Sequence, residues 1–184
     1  MNEIELAGLC SQKDSKAQHL LYDLYHKRLL GICMRYGKSN AEAEDILQMG
    51  MMKIFKNIGT FTGNGSLEGW MKRVVVNVAI DNFRKNSKHY HLEELDRIDE
   101  VPIIDPEAAE NLAADDIMMA VQQLPDGYRM VFNLYAIEGY SHQEIAEQLG
   151  VSVSTSKTQL LRARRFLMKQ LGELNAITQK APVL

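Results

Sequence analysis

The sequence predicts an all-α protein of two small helical domains, and three observations support this fold class. Apolar residues recur at spacings of three and four through most of the chain, and the alternation typical of strands is absent. Serine, asparagine or aspartate precedes the periodic segments, and glycine follows several of them, as expected at helix ends. A polar, acidic stretch without periodicity separates two periodic blocks, which predicts a flexible linker.

Charge is distributed unevenly along the 184 residues. The net charge is −3, yet residues 1–90 carry 13 Lys and Arg against 9 Asp and Glu, and residues 117–184 carry 7 against 5. Residues 91–116 hold one Arg against 10 acids. Two mildly basic blocks therefore flank an acidic connector, and the whole-chain charge hides the surfaces that a polyanion would meet.

The acidic connector also contains Pro102 and Pro106, which disfavour regular structure. We therefore expect four segments along the chain. They are a first domain at 1–90, the flexible acidic linker at 91–112, a helix-turn-helix domain at 113–174 and a frayed tail at 175–184.

The first domain is predicted to be a bundle of about four helices. Asn40 and Ser66 are the expected caps of the third and fourth helices. The predicted spans are 3–10, 15–36, 41–58 and 66–86, with a glycine-rich loop at 59–65. The core face of the second helix is predicted to contain Leu20, Leu21, Leu24, Tyr25, Leu29, Ile32 and Cys33, and that of the fourth Leu67, Met71, Val74, Val75 and Val78.

The second domain contains a helix pair joined by a tight turn. Ser141 and Glu144 form a capping box, Gly150 ends the first helix, and Ser152 caps a second helix that meets no breaker until Gly172. At about 100° per residue the second helix has two faces. Its inward face carries Leu160, Ala163, Leu167 and Leu171, and its outward face carries Lys157, Thr158, Leu161, Arg162, Arg164 and Arg165.

A helix held by its apolar side with cations and hydroxyls outward fits the major groove of duplex DNA. The alternative is a solvated basic face on an ordinary helical hairpin. Charge alone would favour that alternative, but the capping box, the glycine turn, the second cap and the cationic face together favour DNA binding. A helix is also expected from about 127 to 138, ahead of the pair.

Several other classes of function receive no support from the sequence. The chain has no apolar run of the ~20 residues that cross a bilayer, and its first residues do not form a signal peptide. No phosphate loop, nucleophile motif or metal-ligand spacing is present, so we expect no enzyme, cofactor, metal or small-molecule substrate. Cys10 and Cys33 lie in apolar helical patterns, which predicts buried free thiols and a cytoplasmic protein.

Three segments together carry a family resemblance. They are AEAEDILQMGMMKIFKNIGTF with GSLEGWMKRVVVNVAIDNFRK at 41–61 and 65–85, LPDGYRMVFNLYAIEGYSHQEIAEQLGVS at 124–152, and the basic helix after it. The chain resembles the small, two-domain extracytoplasmic-function (ECF) class of bacterial RNA polymerase sigma factors in the sigma-70 family. This resemblance implies a subunit that binds core polymerase and directs promoter-specific transcription initiation.

The resemblance also implies roles for the first domain. The helix at 41–58 would bind the clamp helices of the polymerase β′ subunit, with Asp45, Ile46, Gln48, Met49 and Lys53 as the contacts, whereas Met51 and Met52 are expected in the core. The loop at 61–66 and the helix after it would hold the melted strand of the −10 element. The residues expected there are Phe61, Asn64, Trp70, Lys72, Arg73, Asn77, Arg84 and Lys85.

Asn77 matches the family position at a pocket for an extruded base. Trp70 could stack a base, although a tryptophan that braces the loop is at least as good an interpretation. In the second domain, Lys157, Thr158, Leu161 and Arg162 match positions that face bases of the −35 element. Phosphate contacts are expected from Ser152, Ser154, Thr155, Arg164 and Arg165.

One departure from the family pattern is Ser156, which stands where a buried Val or Ile is usual and predicts looser packing. The implied partners are core RNA polymerase through its β′ clamp helices and β flap, promoter DNA, and an anti-sigma factor of a kind often anchored in the membrane. Two other functions stay open at this point. They are an autonomous helix-turn-helix regulator and a sigma-like decoy that sequesters an anti-sigma factor.

Overall fold

The structure, a computed structural model, describes residues 1–87 and 114–180, with side chains described for 1–86 and 116–172. Its regular elements are helical, and the described ranges contain no strand, which confirms the all-α prediction. The chain divides into two compact units, Met1–Asn82 and Phe83–Leu184. The linker predicted at 91–112 lies outside the described residues, and its boundaries stay a prediction.

The first unit is built from four helices, the last of which continues beyond Asn82, and side-chain caps fix where these helices start. Asn2 caps the first helix with a capping box, and the Asp14 carboxylate accepts from the Ala17 N–H to open the second. The third helix begins one residue earlier than predicted, because Ser39 rather than Asn40 accepts from the first turn. The helices are α1 (Glu3–Ser11), α2 (Ser15–Tyr36), α3 (Asn40–Asn57) and α4 (Leu67–Ser87), and a 3₁₀ turn (Ile58–Thr60) follows α3.

The core of the first unit differs from the predicted apolar stripes in α2 and in α4. The buried face of α2 follows a four-residue step through Leu21, Tyr25, Leu29 and Cys33, so Leu20 and Leu24, which lie beside this line, are exposed. These two core assignments were therefore wrong. In α4 the buried face contains Leu67, Met71, Val75 and Val78 as predicted, and also Val76, while Val74 is only half-buried.

Both cysteines are buried free thiols, as predicted. Desolvation raises the pKa of Cys33 to about 12, so its thiol stays protonated at neutral pH. Burial also raises the pKa of the Cys10 thiol, with a contribution from the negative charge of Asp14. Neither thiol is therefore activated as a nucleophile.

The second unit contains the predicted helix-turn-helix. Its described helices are α5 (Ala114–Gln122), α6 (Asp126–Phe132), α7 (His142–Leu149) and α8 (Val153–Lys180), and a π-helical turn (Asn133–Ile137) extends α6. Ala163 and Leu167 of α8 pack against Ala120, Val121 and Leu124 at the end of α5. This contact holds α8 by its apolar side and leaves its other side exposed.

Gly150 ends α7 with a φ of 70°, the left-handed conformation that the turn requires and that glycine adopts without strain. Gly172, in contrast, does not end α8, which continues to Lys180. A glycine inside a helix lowers helix stability by only about 1 kcal/mol relative to alanine, so a helix can continue through it. The frayed tail predicted at 175–184 stays a prediction, although the helix is described as far as Lys180.

A buried arginine ties α5 to α6. Arg129, 3% exposed, donates to the carbonyl oxygens of Leu124 at 2.8 Å and Gln122 at 3.2 Å, and pairs with Asp126 at 2.7 Å. Carbonyls at a helix end lack intrahelical donors, so this guanidinium satisfies groups that would otherwise be costly to bury. The corner between α5 and α6 is therefore fixed by an ionic and hydrogen-bonded contact.

Two helical glycines give a test of helix packing. A Cβ at Gly50 of α3 would lie 2.9 Å from Cγ2 of the buried Val75, whereas a Cβ at Gly31 of α2 would meet nothing within 4 Å. We expect Gly50→Ala to destabilise the chain by about 1–2 kcal/mol through overpacking. Gly31→Ala should stabilise it by up to ~1 kcal/mol through helix propensity. Urea unfolding of both variants checks this, and equal shifts of the same sign would contradict the close approach of α3 and α4.

Candidate nucleic-acid interface

The exposed face of α8 carries the residues predicted to meet duplex DNA. Ser154, Thr158, Leu161 and Arg165 lie along the middle of that face, opposite the buried Leu160, Ala163 and Leu167. At about 100° per residue, Lys157 and Arg164 fall on one flank and Arg162 on the other. The face therefore presents an apolar side chain, two hydroxyls and a cation at its centre, bordered by further cations.

The first turn of α8 is organised by Ser152. Its hydroxyl accepts from the Thr155 N–H at 3.0 Å, the predicted cap, and lies 2.8 Å from the hydroxyls of both Ser154 and Thr155. The Thr158 hydroxyl donates to the Ser154 carbonyl at 2.9 Å. Ser152 and Ser154 are exposed and Thr155 is half-buried. Their hydroxyls lie at the N-terminus of a helix, where anions are favoured.

Arg162 differs from the other cations of the face. It is half-buried, and its Nη1 donates to the Tyr128 hydroxyl of α6 at 3.3 Å. The sequence predicted an outward, base-facing side chain, and the structure instead places it at the edge of the face with one nitrogen engaged. A guanidinium has five N–H donors, so the remaining donors are available while Tyr128 limits the orientation of the group.

A polar contact beneath the face was not predicted from the sequence. Ser156 is fully buried, and its Oγ lies 2.9 Å from Nδ1 of His142 at the start of α7. The imidazole stacks on Tyr135 with ring centroids 4.5 Å apart, and the Arg164 guanidinium carbon lies 5.9 Å from the centre of the Tyr135 ring. The expectation of loose packing at Ser156 stays untested, but its hydroxyl has a defined partner.

The electrostatic surroundings of His142 favour its neutral form. Desolvation lowers its pKa below the usual 6.5, and the positive charges of Lys157 and Arg164 lower it further. Because the folded pKa lies below the unfolded one, the stability that His142 contributes is present above pH 6.5 and is lost as the pH falls through the folded pKa. The neutral ring is thus the form that pairs with Ser156 near neutral pH.

The glycine-rich loop before α4 has a defined shape. Gly63 and Gly65 have φ values of 80° and 92°, and the exposed Asn64 lies between them. Phe61, half-buried, contacts Trp70 of α4 with ring centroids 6.2 Å apart and planes inclined by 57°. Trp70 is therefore placed as a brace for the loop, which favours that interpretation over base stacking.

The described part of α4 presents an exposed polar stripe beyond the loop. Arg73 and Asn77 are exposed one turn apart, and Asp81 in the next turn pairs with Lys53 of α3 at 2.8 Å. Lys72 is half-buried and lies about 140° around the helix from Asn77, so it does not join this stripe. Arg84 and Lys85 are exposed near the end of the helix.

The third helix presents a second candidate surface. Asp45, Gln48 and Met49 are exposed as predicted, but Ile46 is 2% exposed. Its assignment as a partner contact was wrong, because its side chain belongs to the core. Met51 is buried as expected, whereas Met52, expected in the core, is 73% exposed. Spacings of three and four residues place Met52 on the same stripe as Asp45, Gln48 and Met49.

None of the described helices is both long and apolar enough to span a membrane. Within the same described residues, no cluster of three or more His, Cys, Asp or Glu side chains is arranged to hold a metal ion.

Two family models match the chain, and each covers one of the regions just described. The model of sigma-70 region 2 matches residues 21–89, and that of sigma-70 region 4 matches residues 114–167. The first match contains the loop and the stripes on α3 and α4. The second contains the helix-turn-helix.

Relatives that match most of the chain extend this similarity. The ECF RNA polymerase sigma factor SigW of Bacillus subtilis is 30% identical over 165 residues, which cover 84% of this chain and 88% of SigW. SigX of the same organism, also an ECF sigma factor, is 31% identical over 159 residues, 83% of this chain and 82% of SigX. The sigma factor RpoE of Bartonella quintana, solved with the anti-sigma factor NepR, has a TM-score of 0.49 and 22% identity over 83% of this chain and 95% of that one.

The His142–Ser156 contact gives a test of how α8 is held. We expect Ser156→Ala and His142→Ala each to destabilise the chain by about 1 kcal/mol, and the double variant to lose less than the sum, because the two share one hydrogen bond. Urea unfolding of the intact chain at pH 7.5 measures the four corners of this cycle. Gln143→Ala, an exposed position next to His142 in α7, is the control, with a change below ~0.5 kcal/mol. Strictly additive effects would contradict the contact.

Proposed function

This chain belongs to the ECF RNA polymerase sigma factors of the sigma-70 family, and from that premise we propose which of its surfaces perform each part of the work. As a sigma factor it directs promoter-specific transcription initiation. The assignment of surfaces rests on one observation, which is that each matched region has an exposed surface of its own. An exposed basic face lies on the region 4 helix-turn-helix, and a loop with an exposed polar helix stripe lies on region 2.

We assign the exposed face of α8 to the −35 element as duplex DNA. Lys157, Thr158, Leu161 and Arg162 are the proposed base contacts, since arginine bonds guanine bidentately and a leucine can touch thymine methyl groups. The Tyr128 hydroxyl would hold the Arg162 guanidinium in a fixed orientation before DNA arrives. Phosphate contacts are assigned to Ser152, Ser154, Thr155, Arg164 and Arg165.

We assign the loop and α4 to the melted strand of the −10 element. Opening a duplex costs a few kcal/mol per unstacked step, so the protein must return that energy by binding the released base. The exposed amides of Asn64 and Asn77 are suited to base edges, because each offers both donors and an acceptor. Arg73, Arg84 and Lys85 would contact phosphates, and Phe61 with Trp70 would brace the loop rather than read a base.

We assign the α3 stripe of Asp45, Gln48, Met49 and Met52 to core polymerase, through the β′ clamp helices that the family uses. Met52 replaces the buried Ile46 in this proposal, because an exposed, flexible thioether suits an adaptable interface. Lys53, held by Asp81, lies at the edge of the stripe. Region 4 would meet the β flap.

Further features follow from family membership. We propose that the chain acts in the cytoplasm with no catalytic site of its own, and that an anti-sigma factor controls it, of a kind often anchored in the membrane. An autonomous regulator is not favoured, because such a protein would not need a sigma-70 region 2, whose model matches residues 21–89. A decoy is not favoured either, since it would not need the intact basic face of α8.

The proposed −35 surface predicts different effects for two arginines of one helix. Arg162→Ala should lower affinity for the −35 duplex by about 1–3 kcal/mol and relax preference at one base pair. Arg165→Ala should weaken binding similarly for all sequences and reduce the salt slope by about one. Affinity series over single-base variants at several salt concentrations measure both effects. Equal losses on every sequence for Arg162→Ala would remove it from the base contacts.

The proposed base pocket predicts a defect confined to strand opening. Asn77→Ala should slow open-complex formation roughly fivefold to tenfold, as expected when a side-chain hydrogen bond of ~1–1.4 kcal/mol is lost, and should leave polymerase binding unchanged. Permanganate reactivity of bubble thymines follows opening. Asn86→Ala, an exposed asparagine on the opposite side of α4, is the matched control. A wild-type bubble in Asn77→Ala would show that the pocket lies elsewhere.

A further inference from the structure

The N-terminal helix α1 makes specific contacts with the loop that we assign to the extruded base. One Glu3 carboxylate oxygen accepts from the Leu67 N–H of α4 at 2.8 Å. Its other oxygen accepts from the Tyr25 hydroxyl of α2 at 3.3 Å. A single side chain near the start of the sequence therefore links α1, α2 and the first turn of α4.

This carboxylate occupies a position with a clear physical role. The first N–H groups of a helix have no partner within the helix, and negative charge there is stabilised by the helix dipole. Ser66 satisfies one such group, accepting from the Gly69 N–H at 3.0 Å, and Glu3 satisfies that of Leu67. The start of α4, which is also the end of the loop, is thus capped once locally and once from 64 residues away.

The neighbouring Ile4 contacts the tip of the same loop. A Cβ placed on Gly63 would lie 2.8 Å from Ile4 Cδ1, so the isoleucine side chain packs directly on this glycine. Gly63 already has a φ of 80°, in the left-handed region that glycine adopts without strain. In addition, α1 packs on the 3₁₀ turn Ile58–Thr60, which enters the loop. Both ends of the loop and its tip are therefore in contact with one short helix.

We propose that α1 is a positioning element for base recognition, with Glu3 and Ile4 as the residues that fix the loop containing Asn64. This inference rests on the proposed assignment of the loop to the −10 strand. Neither residue needs to touch DNA. Their effect is to hold Asn64 and the backbone of residues 62–65 in one arrangement before the base arrives, which lowers the ordering cost of binding.

The first measurement tests the contact without DNA. In the full chain, Glu3→Ala should raise the amide hydrogen-exchange rate of Leu67 at least tenfold, because that N–H loses the carboxylate to which it donates. Glu3→Gln, which keeps the side-chain length and one neutral acceptor, should give a smaller rise and serves if Glu3→Ala does not fold. Asp23→Ala is the matched control, since it removes an exposed carboxylate of α2, paired with the exposed His19, and leaves α1 intact.

The second measurement tests the consequence for recognition. Holoenzyme is assembled with each variant, and open-complex formation is followed on four promoters that differ only in the base proposed to be extruded. Glu3→Ala and Ile4→Ala should reduce the ratio between the best and worst base at least threefold with wild-type affinity for core polymerase, while Asp23→Ala keeps the wild-type ratio.

Unchanged Leu67 exchange in Glu3→Ala overturns the inference. So does faster exchange with wild-type base ratios, because the contact would then stabilise the fold only. A failure of the proposed function would give a different result. Asn77→Ala would then open promoters like the wild type, with or without Glu3→Ala.

Discussion

Each helix that carries a candidate surface begins at a side-chain cap, because the first N–H groups of a helix have no partner within the helix. Ser39 opens α3, Ser141 with Glu144 opens α7, and Ser152 opens α8. A helix turns by about 100° per residue, so packing the apolar side of α8 into the core places Leu161 and Arg165 on its exposed side. The caps fix where each helix begins, and the buried apolar side fixes which residues face outward.

The N–H groups in the first turn of a helix bind side chains from both nearby and distant parts of the chain. Glu144 is held by the backbone N–H and hydroxyl of Ser141, which lower the pKa of its carboxyl, so the charged form that completes the capping box is favoured at neutral pH. At α4, a carboxylate from α1 takes the corresponding role. The cap of α7 therefore comes from its own first turn, whereas the Glu3 carboxylate joins the start of α4 to a different helix.

Much of this arrangement was predictable from the sequence, and the contacts that were not predictable join residues far apart in the chain. The capping box, Gly150, the Ser152 cap and the buried Leu160, Ala163 and Leu167 were predicted, because they are consequences of local spacing. The His142–Ser156 and Glu3–Leu67 contacts join residues 14 and 64 positions apart, and periodicity gives a face without naming its partner.

The errors on α3 have a similar origin. Ile46 and Met52 are both apolar, so composition could not tell which of them the neighbouring helices cover, and the structure buries the first and exposes the second. Arg162 also looked like its neighbours in the sequence until Tyr128, 34 residues earlier, was found beside it. Such cases depend on packing between helices, which one sequence does not specify.

We propose that this chain gives core polymerase its choice of promoter through two surfaces, one for duplex and one for melted DNA. The most direct measurement is to transcribe a library of random promoter sequences with core RNA polymerase, with and without the purified chain, and to sequence the 5′ ends of the transcripts. We expect a set of start sites found only with the chain, preceded by two shared sequence elements at a constant spacing. The same start sites with and without the chain would contradict the claim.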